Sequence, residues 1–237
     1  MLHELNDRFK QVFMAKATAG RTKERLLAAA SRLFAERGFQ ATSVREIAER
    51  AGTNIASGNY HYGSKKALYL EVLREQFRNI QSELRRRGAS PPATELSTLS
   101  REELIQVFRS RVQAMLEITL GPPPSLHATL MHREMCDPSE ALPVIAAEFI
   151  APMTAEMGEI ILHLFPGLQD EDIQRCVYSV AGQAMFYRFA MPALLHMQGR
   201  TKYPPGFARA IAEHIAEFSL AGAKQIAERS KRKRRVR

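Results

Sequence analysis

Residues 42–68 read TSVREIAERAGTNIASGNYHYGSKKAL, and this stretch decides the fold. Ser43 and Glu46 have the spacing of a capping box, in which each side chain accepts a free N–H group at the start of a helix. Gly52 ends that short helix, because glycine readily takes the left-handed conformation of a helix exit. The spacing therefore predicts one short helix that is closed at both ends by local signals.

Two further helices are predicted after this turn. Asn54 can cap a helix over residues 55–61, and Ser64 can cap a longer one. Lys65 and Lys66 fall in the first turn of the longer helix, where a cation opposes the helix dipole. A polyanion beside them would be a reason for cations at this position. This is the pattern of a helix-turn-helix, whose second helix enters the major groove of DNA. The alternative is a helical hairpin with no role in DNA binding.

The stretch from about residue 21 to residue 83 resembles the DNA-binding domain of the TetR family of bacterial repressors. The runs LLAAASRLFAERGFQATSVREIAERAG and YHYGSKKAL carry this resemblance. It implies an all-α fold, in which a connector helix joins an N-terminal three-helix helix-turn-helix domain to a C-terminal helical domain for ligand binding and dimerisation. The stretches HREMCDPSEALPVIAAEFIAPM and YSVAGQAMFYRFAMPAL are similar to the C-terminal domain of the CerR-type branch of that family.

The resemblance implies a ligand-responsive, sequence-specific transcriptional regulator, which we expect to be a homodimeric repressor. Its partners would be double-stranded operator DNA and an unknown small-molecule effector that releases it from the operator. We expect no enzymatic activity, because no Gly-rich phosphate loop and no recognisable Ser/His/Asp or Cys/His arrangement is present. No cofactor is expected either. The alternative function is that of a nonspecific DNA-binding architectural protein.

Charge is unevenly distributed along the 237 residues, whose formal net charge is +9. Residues 21–87 hold 14 Lys and Arg against 7 Asp and Glu, whereas residues 88–229 hold 11 against 16. The last eight residues, SKRKRRVR, contain six cations, and we expect this basic tail to be disordered. A basic N-terminal region on an acidic body indicates contact with nucleic acid at one end. A solvated basic face is the alternative.

The sequence also points to a compartment. No run of eighteen apolar residues is present, so no membrane-spanning helix is predicted, and the first twenty residues are too polar for a signal peptide. Cys136 and Cys176 form no CxxC pair, which favours free thiols in a reducing environment. We therefore expect a cytoplasmic protein.

Four regions are predicted along the chain, with the main boundary in GASPPATELSTLS, where Gly, Pro and Ser interrupt the helical spacing. They are an N-terminal arm or extra helix over 1–20, the helix-turn-helix domain with its connector helix over 21–87, the ligand-binding and dimerisation domain over 100–229, and the basic tail over 230–237. Within the third region, the helices predicted over 170–197 and 205–229 are the expected dimer interface. One face of the first carries Val177, Val180, Ala181, Ala184, Met185 and Phe189, which could serve the interface, the core or both.

Polar residues around the turn are the candidates for DNA contact. Asn and Ser can bond to base edges and Ala56 can meet a thymine methyl group, while the absence of a bidentate Arg shifts specificity towards DNA shape. The resemblance places Thr42, Tyr60 and Lys65 near the phosphates, although core packing is the alternative for Tyr60 and for Tyr62. The predicted DNA-binding residues are Thr42, Ser43, Asn54, Ala56, Ser57, Asn59, Tyr60, His61 and Lys65. Gly58 in mid-helix costs roughly 1 kcal/mol, so we expect this helix to be soft without DNA.

The C-terminal region offers a candidate ligand pocket. His132 and Cys136 share a helix face at a spacing that a soft metal could use, but no third ligand is evident and no metal site is predicted. Adaptable side chains there favour a ligand pocket, with plain core as the alternative. Arg188 in an apolar helix needs a partner, either an acidic side chain such as Glu134 or an anionic ligand. The predicted pocket residues are His127, Met131, His132, Met135, Phe186, Tyr187, Arg188 and His196.

Overall fold

The computed structural model of the protein describes the backbone of residues 2–54, 56, 61–120 and 126–235, and the side chains of residues 20–54, 56, 61–120 and 126–232. These residues form helices and no strand, so the predicted all-α fold is confirmed. The helices are α1 Leu2–Arg37, α2 Val44–Arg50, α3 Lys65–Arg86, α4 Ala93–Leu96, α5 Arg101–Leu120, α6 Leu126–Cys136, α7 Leu142–Ile145, α8 Ala151–Leu164, α9 Asp170–Phe189, α10 Met191–Met197 and α11 Phe207–Arg235. In the described part of the chain no helix is long and apolar enough to cross a membrane.

The chain divides into two compact units. The first contains Met1–Gln76 and Thr129–Pro143, and the second contains Phe77–Ala128 and Val144–Arg237. Helices α3 and α6 each contribute residues to both units. The functional boundaries predicted near residues 87 and 100 stay a prediction, because a division by compactness does not assign functions to the units.

The first unit is built around apolar residues of α1, α2 and α3. They recur at the three- and four-residue spacing of a buried helix face. The buried set includes Leu26, Ala30, Leu33, Phe34, Phe39, Ile47, Ala48, Leu68, Val72 and Leu73. Phe34 packs edge-on against Tyr69, with ring centroids 4.8 Å apart, and this contact joins α1 to α3. The core therefore joins α1, α2 and α3 in one unit.

The second unit has one main core, formed by α5, α8, α9 and α11. Leu104, Phe108 and Val112 of α5 pack with residues of the other three helices. Val177, Val180 and Ala184 of α9 belong to this core. That part of the predicted dimer face is therefore inside the unit, as the core alternative for these residues allowed.

Both ends of the chain are more helical than the sequence suggested. Helix α1 runs without interruption from Leu2 to Arg37, so residues 2–20 continue the helix that was expected to begin at Thr22 and do not form a separate one. The expectation of a disordered basic tail is wrong, because α11 continues to Arg235. Near its end the Ser230 hydroxyl donates to the Asp172 carboxylate at 3.4 Å, and this contact attaches the last turns to α9.

Two predicted helices are divided in the structure. The sequence predicts one helix from the turn at residues 137–140 to about Phe165, with a bend at Pro152; in the structure this segment contains a π-helical turn at Ala146–Ile150, shortly before the proline. The helix expected over 170–197 breaks at Ala190, and Pro192 lies in the first turn of α10. A proline is tolerated in the first turn of a helix, where its missing N–H group has no partner to lose. At the second of these breaks, Pro192 therefore belongs to the start of a new helix, α10.

Candidate nucleic-acid interface and effector site

The start of α2 is fixed by the predicted capping box. The Glu46 backbone N–H donates to Ser43 Oγ at 3.2 Å, and the Ser43 backbone N–H donates to Glu46 Oε2 at 3.0 Å. Arg37 at the end of α1 adds an ion pair to the same carboxylate at 2.7 Å. Hydrogen bonds from Ser43 are the main cause that lowers the pKa of Glu46, and the positive charge of Arg37 adds to it. The carboxylate therefore joins the start of α2 to the end of α1.

Helix α2 is followed by a glycine, Gly52, that lies close to the Arg25 side chain of α1. Gly52 has a φ of 62°, in the left-handed region, and its carbonyl accepts from Arg25 Nη2 at 3.0 Å. A Cβ atom at this position would lie 2.5 Å from the same Nη2 atom. The left-handed backbone conformation favours glycine here, and a larger residue would also displace the end of the Arg25 side chain. The turn after α2 is thus fixed by the backbone conformation of Gly52 and by the hydrogen bond between its carbonyl and Arg25.

Two of the predicted phosphate contacts are engaged inside the first unit. Thr42 is only 2% exposed, and its hydroxyl donates to the Gly38 carbonyl at 2.8 Å. Lys65 Nζ donates to the Gln40 carbonyl at 3.3 Å and lies 4.4 Å from the centre of the Phe39 ring. These contacts give Lys65 a reason to stand at a helix N-terminus without any polyanion. Contact of Thr42 and Lys65 with DNA stays a prediction.

The other predicted DNA-binding residues fall at the surface or outside the described residues. Ser43, Asn54 and Ala56 are exposed, and His61 is half-buried. Ser57, Asn59 and Tyr60, together with Gly58, lie outside the described residues, so the prediction for them is not tested. Neighbouring Tyr62 is half-buried, and its hydroxyl donates to the Lys23 carbonyl at 3.0 Å. Burial is the main cause that raises the pKa of Tyr62 to about 12, which agrees with the packing interpretation.

A segment far away in the sequence completes the first unit. Arg133 on α6 donates from Nε to the Ala35 carbonyl at 2.7 Å and from Nη2 to the Glu36 carbonyl at 2.5 Å. These carbonyls belong to the last turn of α1, where a helix leaves its acceptors unsatisfied and favours a cation. The sequence pattern gave no sign of this contact, because no local spacing relates residues so far apart. Arg133 therefore acts as a side-chain cap on α1.

The next residue along α6, Glu134, binds α3 of the same unit. Glu134 is 2% exposed, and its carboxylate accepts from the Tyr69 hydroxyl at 3.0 Å and from the backbone N–H of Ser139 at 2.9 Å. Burial is the main cause that raises the pKa of Tyr69, and the charge of Glu134 adds to it. Of the two partners predicted for Arg188, Glu134 is thus already engaged within the first unit.

The first unit also contains a cavity of about 350 Å³, lined by residues around Gly38, Tyr69, His132 and Cys136. Cys136 Sγ lies 3.9 Å from His132 Nε2, so the predicted pair does share one helix face. Nowhere in the described part of the chain do three or more His, Cys, Asp or Glu residues come together in a way that could hold a metal ion. Met131 is half-buried beside this pair, and Met135 is 40% exposed.

The remaining predicted pocket residues belong to the second unit and are not gathered in one place. His127 contacts Phe77 edge-on, with ring centroids 4.7 Å apart, and Tyr187 accepts at its carbonyl from the Tyr203 hydroxyl at 2.8 Å. Arg188 is half-buried, and its Nε atom has no hydrogen-bond partner. Phe186 and His196 are exposed. Whether these residues bind an effector stays a prediction.

An ion pair between a buried arginine and a partly exposed glutamate in the second unit was missed from the sequence. Arg111 is 4% exposed and lies 2.8 Å from the Glu156 carboxylate, which also accepts from the Ser90 hydroxyl at 2.8 Å. These residues border a cavity of about 220 Å³ beneath α4. In the sequence, Arg111 lies next to Val112 in the apolar pattern of α5. A cation at such a position could have indicated a buried charge. Its partner could not be read from spacing.

Comparison with known proteins agrees with this architecture. The family described as "Bacterial regulatory proteins, tetR family" matches residues 26–72. The family described as "HTH-type transcriptional dual regulator CecR, C-terminal domain" matches residues 101–223, which is just over half of the chain. The branch expected from the sequence under the label CerR-type is thus the one named after CecR.

Individual relatives show the same division. The CecR regulator of Shigella flexneri is 28% identical over 193 residues, covering 76% of this chain and 82% of that protein. The repressor KstR2 of Rhodococcus jostii is 45% identical over 62 residues, covering 25% of this chain and 30% of that protein. The crystal structure of AibR in complex with isovaleryl coenzyme A and operator DNA aligns with a TM-score of 0.55 at 14% identity, covering 84% of this chain and 96% of AibR.

The helix-turn-helix unit and the two family matches lead to the same conclusion. These relatives are transcriptional regulators, and none of the matched families is a family of enzymes. The chain belongs to the TetR family of bacterial regulatory proteins, as a DNA-binding regulator of transcription with a C-terminal domain of the CecR type.

Proposed function

We propose that the protein is a homodimeric repressor that binds operator DNA sequence-specifically and is released by a small-molecule effector. One observation carries this proposal, namely an exposed aromatic face on α9 and α11 that a second copy of the chain can cover. Tyr178 and Phe186 of α9 are 56% and 55% exposed, and Phe218 of α11 is 65% exposed. Large exposed apolar patches on a protein surface mark interaction sites.

The composition of this face suits the close approach of another helix pair. Gly182 lies between Tyr178 and Phe186 at four-residue spacing, and Gly222 follows Phe218 at the same spacing. A Cβ atom added to either glycine would have no neighbour within 4 Å. The two helices pack together within the unit, where Gln183 Nε2 donates to Ser219 Oγ at 3.3 Å. A symmetric copy would thus meet aromatic side chains that alternate with open glycine positions.

Dimer formation would give the DNA-binding residues their function. One helix in a major groove covers too few base pairs for selectivity, whereas a symmetric dimer places two of them about 34–36 Å apart or a multiple of that distance. The proposed contacts are those predicted between Thr42 and Lys65. In this arrangement the effector favours a conformation that no longer fits the two half-sites, and DNA weakens effector binding by the same factor. AibR, a protein of similar fold, is known in complex with isovaleryl coenzyme A and operator DNA, which supports both a small-molecule ligand and operator DNA as proposed partners.

The dimer proposal is tested with Phe186→Glu and Phe218→Glu, both at exposed positions of the aromatic face. We expect each variant to be a monomer in light scattering coupled to size exclusion and to lose at least tenfold in affinity for promoter DNA. Met197→Glu is the matched control, because Met197 is 80% exposed but lies on α10, outside this face. Dimers of unchanged affinity in both aromatic variants would contradict the proposal.

Sequence specificity is tested by competition. A fluorescent fragment of the adjacent promoter is bound at physiological salt and displaced with unlabelled promoter or with scrambled DNA of the same length. We expect the promoter to compete at least a hundredfold better, since specific sites usually exceed nonspecific ones by several orders of magnitude. Equal competition would favour the alternative, a nonspecific architectural protein.

A further inference from the structure

A histidine in the second unit has a buried nitrogen atom that makes no hydrogen bond within the protein. His127 Nδ1 is inaccessible to solvent and has no hydrogen-bond partner. A buried polar atom that is left unsatisfied costs about 1–3 kcal/mol, so such atoms in native proteins call for an explanation. His127 is one of the residues predicted from the sequence to contact a ligand. Its unsatisfied nitrogen is an observation about the structure that supports this role.

The state of the ring limits the chemistry of such a ligand. Burial lowers the pKa of His127 to about 4, and no neighbouring charge contributes to this shift. The imidazole is therefore neutral at physiological pH, with one nitrogen as a donor and the other as an acceptor. A charged ligand group at Nδ1 would be desolvated without an opposite charge, which is costly. A neutral group that donates one hydrogen bond would meet no such penalty.

The surroundings of His127 are aromatic. Phe77 meets the His127 ring edge-on, and its own ring lies parallel to that of Phe149, with centroids 4.0 Å apart. Both phenylalanines are buried. Flat aromatic groups stack favourably on such rings in offset or edge-on arrangements. The side chains around the free nitrogen therefore favour a flat aromatic body over an aliphatic chain.

The backbone that carries Phe149 is also irregular. Phe149 lies in the π-helical turn Ala146–Ile150, which interrupts the helix formed by α7 and α8. Single π-helical turns are rare and occur frequently at functional sites, because they place a side chain where a regular helix would not. Here the turn sets Phe149 face to face with Phe77.

From these observations we propose that His127 Nδ1 accepts a hydrogen bond from an uncharged, flat aromatic ligand that packs against Phe77 and Phe149. The inference rests on the proposed function in one respect, since it takes this ligand to be the effector. It goes beyond that function by naming the chemical class of the ligand and the atom that recognises it. Anionic and cationic ligands of the same size are excluded from the site.

Four small probes separate the features of this proposal. Indole is neutral, flat and donates one N–H group, 1-methylindole lacks that donor, and benzoate and benzylamine carry a negative and a positive charge. The full-length protein is titrated with each probe while the side-chain nitrogen signals of its histidines are followed by NMR. We expect indole to shift the Nδ1 signal of His127 saturably. We expect at least fivefold weaker binding of 1-methylindole, and no saturable shift with the charged probes.

Substitution of the histidine gives a second readout. His127→Phe keeps an aromatic ring in place and removes the acceptor, so calorimetric binding of indole should weaken about tenfold while 1-methylindole is unaffected. His163→Phe is the control, because the His163 ring bonds to a carbonyl of its own helix, at 2.9 Å from the Glu159 oxygen. If His127→Phe is poorly folded, His127→Gln, which restores an acceptor, replaces it and should retain indole binding.

Two results would overturn the inference: no saturable shift of His127 with any probe, or equal indole binding by the wild type and His127→Phe. The operator assay is kept separate, so that the two proposals can fail independently. Binding of indole at His127 without release of operator DNA supports the site and counts against the effector role. Loss of specific operator binding in the absence of any probe counts against the proposed function alone.

Discussion

Arg133 donates from Nε to the carbonyl of Ala35 at 2.7 Å, across 98 positions of the sequence. The contact places a permanent cation at the end of α1, next to the turn at Gly38 that leads to α2. Because α1 leads through this turn into α2, a side chain from the middle of the chain stabilises the backbone directly before α2. This dependence can be measured.

Arg133→Met should lower the free energy of unfolding by about 1–2 kcal/mol, because two charge-assisted hydrogen bonds to backbone carbonyls are lost while the aliphatic stem is kept. Urea unfolding followed by circular dichroism measures the change. Arg175→Met serves as the control, since the Arg175 side chain is 67% exposed and ion pairs of exposed side chains contribute little. Equal stability of the two variants would show that the contacts of Arg133 add nothing.

The two capping boxes offer a comparison between the units. Ser43→Ala removes the cap of α2, and Ser100→Ala removes the equivalent cap of α5, where the Glu103 N–H donates to Ser100 Oγ at 3.2 Å. Each should cost about 1 kcal/mol of stability. Only Ser43→Ala should also weaken binding to promoter DNA in fluorescence anisotropy, by at least threefold. An equal loss of DNA affinity in both variants would mean that the effect is one of general stability.

Gly52 and Gly63 separate backbone strain from steric overlap. Both have a positive φ, of 62° and 73°, but a Cβ at Gly52 would lie 2.5 Å from Arg25 Nη2, whereas nothing lies within 4 Å at Gly63. Gly63→Ala should destabilise by about 1 kcal/mol, from the left-handed backbone alone. Gly52→Ala should cost more than this, because the Arg25 side chain must also move away from the Gly52 carbonyl. Thermal unfolding of the two variants measures which substitution destabilises more. A smaller loss of stability in Gly52→Ala than in Gly63→Ala would contradict the prediction.

His127 makes a prediction about acid stability. Its pKa is lowered to about 4 in the folded protein from an ordinary value of 6.5, so between these pH values the unfolded chain binds a proton that the folded chain does not. The associated stability is complete above pH 6.5 and is lost as the pH falls to about 4, by on the order of 3 kcal/mol. Chemical denaturation across this range should show the loss in the wild type and in His163→Phe. A His127→Phe variant with the same pH slope would contradict it.

Local signals predicted local structure well. The spacing Ser43–Glu46 predicted a capping box, and the same spacing at Ser100–Glu103 predicts a second one at residue 100; both are present with the expected hydrogen bonds. The sequence likewise predicts a short helix from Leu126 to Cys136, and α6 has these bounds. These features depend on residues within one or two helical turns of each other, and spacing in the sequence determines such contacts directly.

Contacts between distant residues could not be predicted in the same way. Glu134 was considered as a partner for Arg188, but its carboxylate binds Tyr69 and Ser139. The pattern identified a charge that needs a partner, and only the fold could say which partner is near. The expectation of a disordered basic tail was wrong for a related reason. Repulsion between its cations predicts disorder, but the distant contact between Ser230 and Asp172 connects α11 with α9.

The dimer face shows how a small rotation changes an interpretation. The sequence grouped Val177, Val180 and Ala184 on one face of α9 together with Ala181, Met185 and Phe189. The first three lie in the core of the unit, whereas Phe189 is 41% exposed. Tyr178 and Phe186 stand on the opposite side and are exposed. Apolar periodicity identifies the face of a helix that is buried. It does not distinguish burial inside one chain from burial between two.

The position of Glu134 and Arg133 has a practical consequence for work on isolated fragments. A fragment that ends after the connector helix, at Arg87, would contain the whole helix-turn-helix of the sequence and yet lack both side chains. It would leave the hydroxyl of Tyr69 in an apolar core without its acceptor and the last carbonyls of α1 without their donor. Residues 129–143 belong to the same compact unit as residues 1–76. An autonomous DNA-binding fragment of this protein would have to be assembled from two separate pieces of the chain.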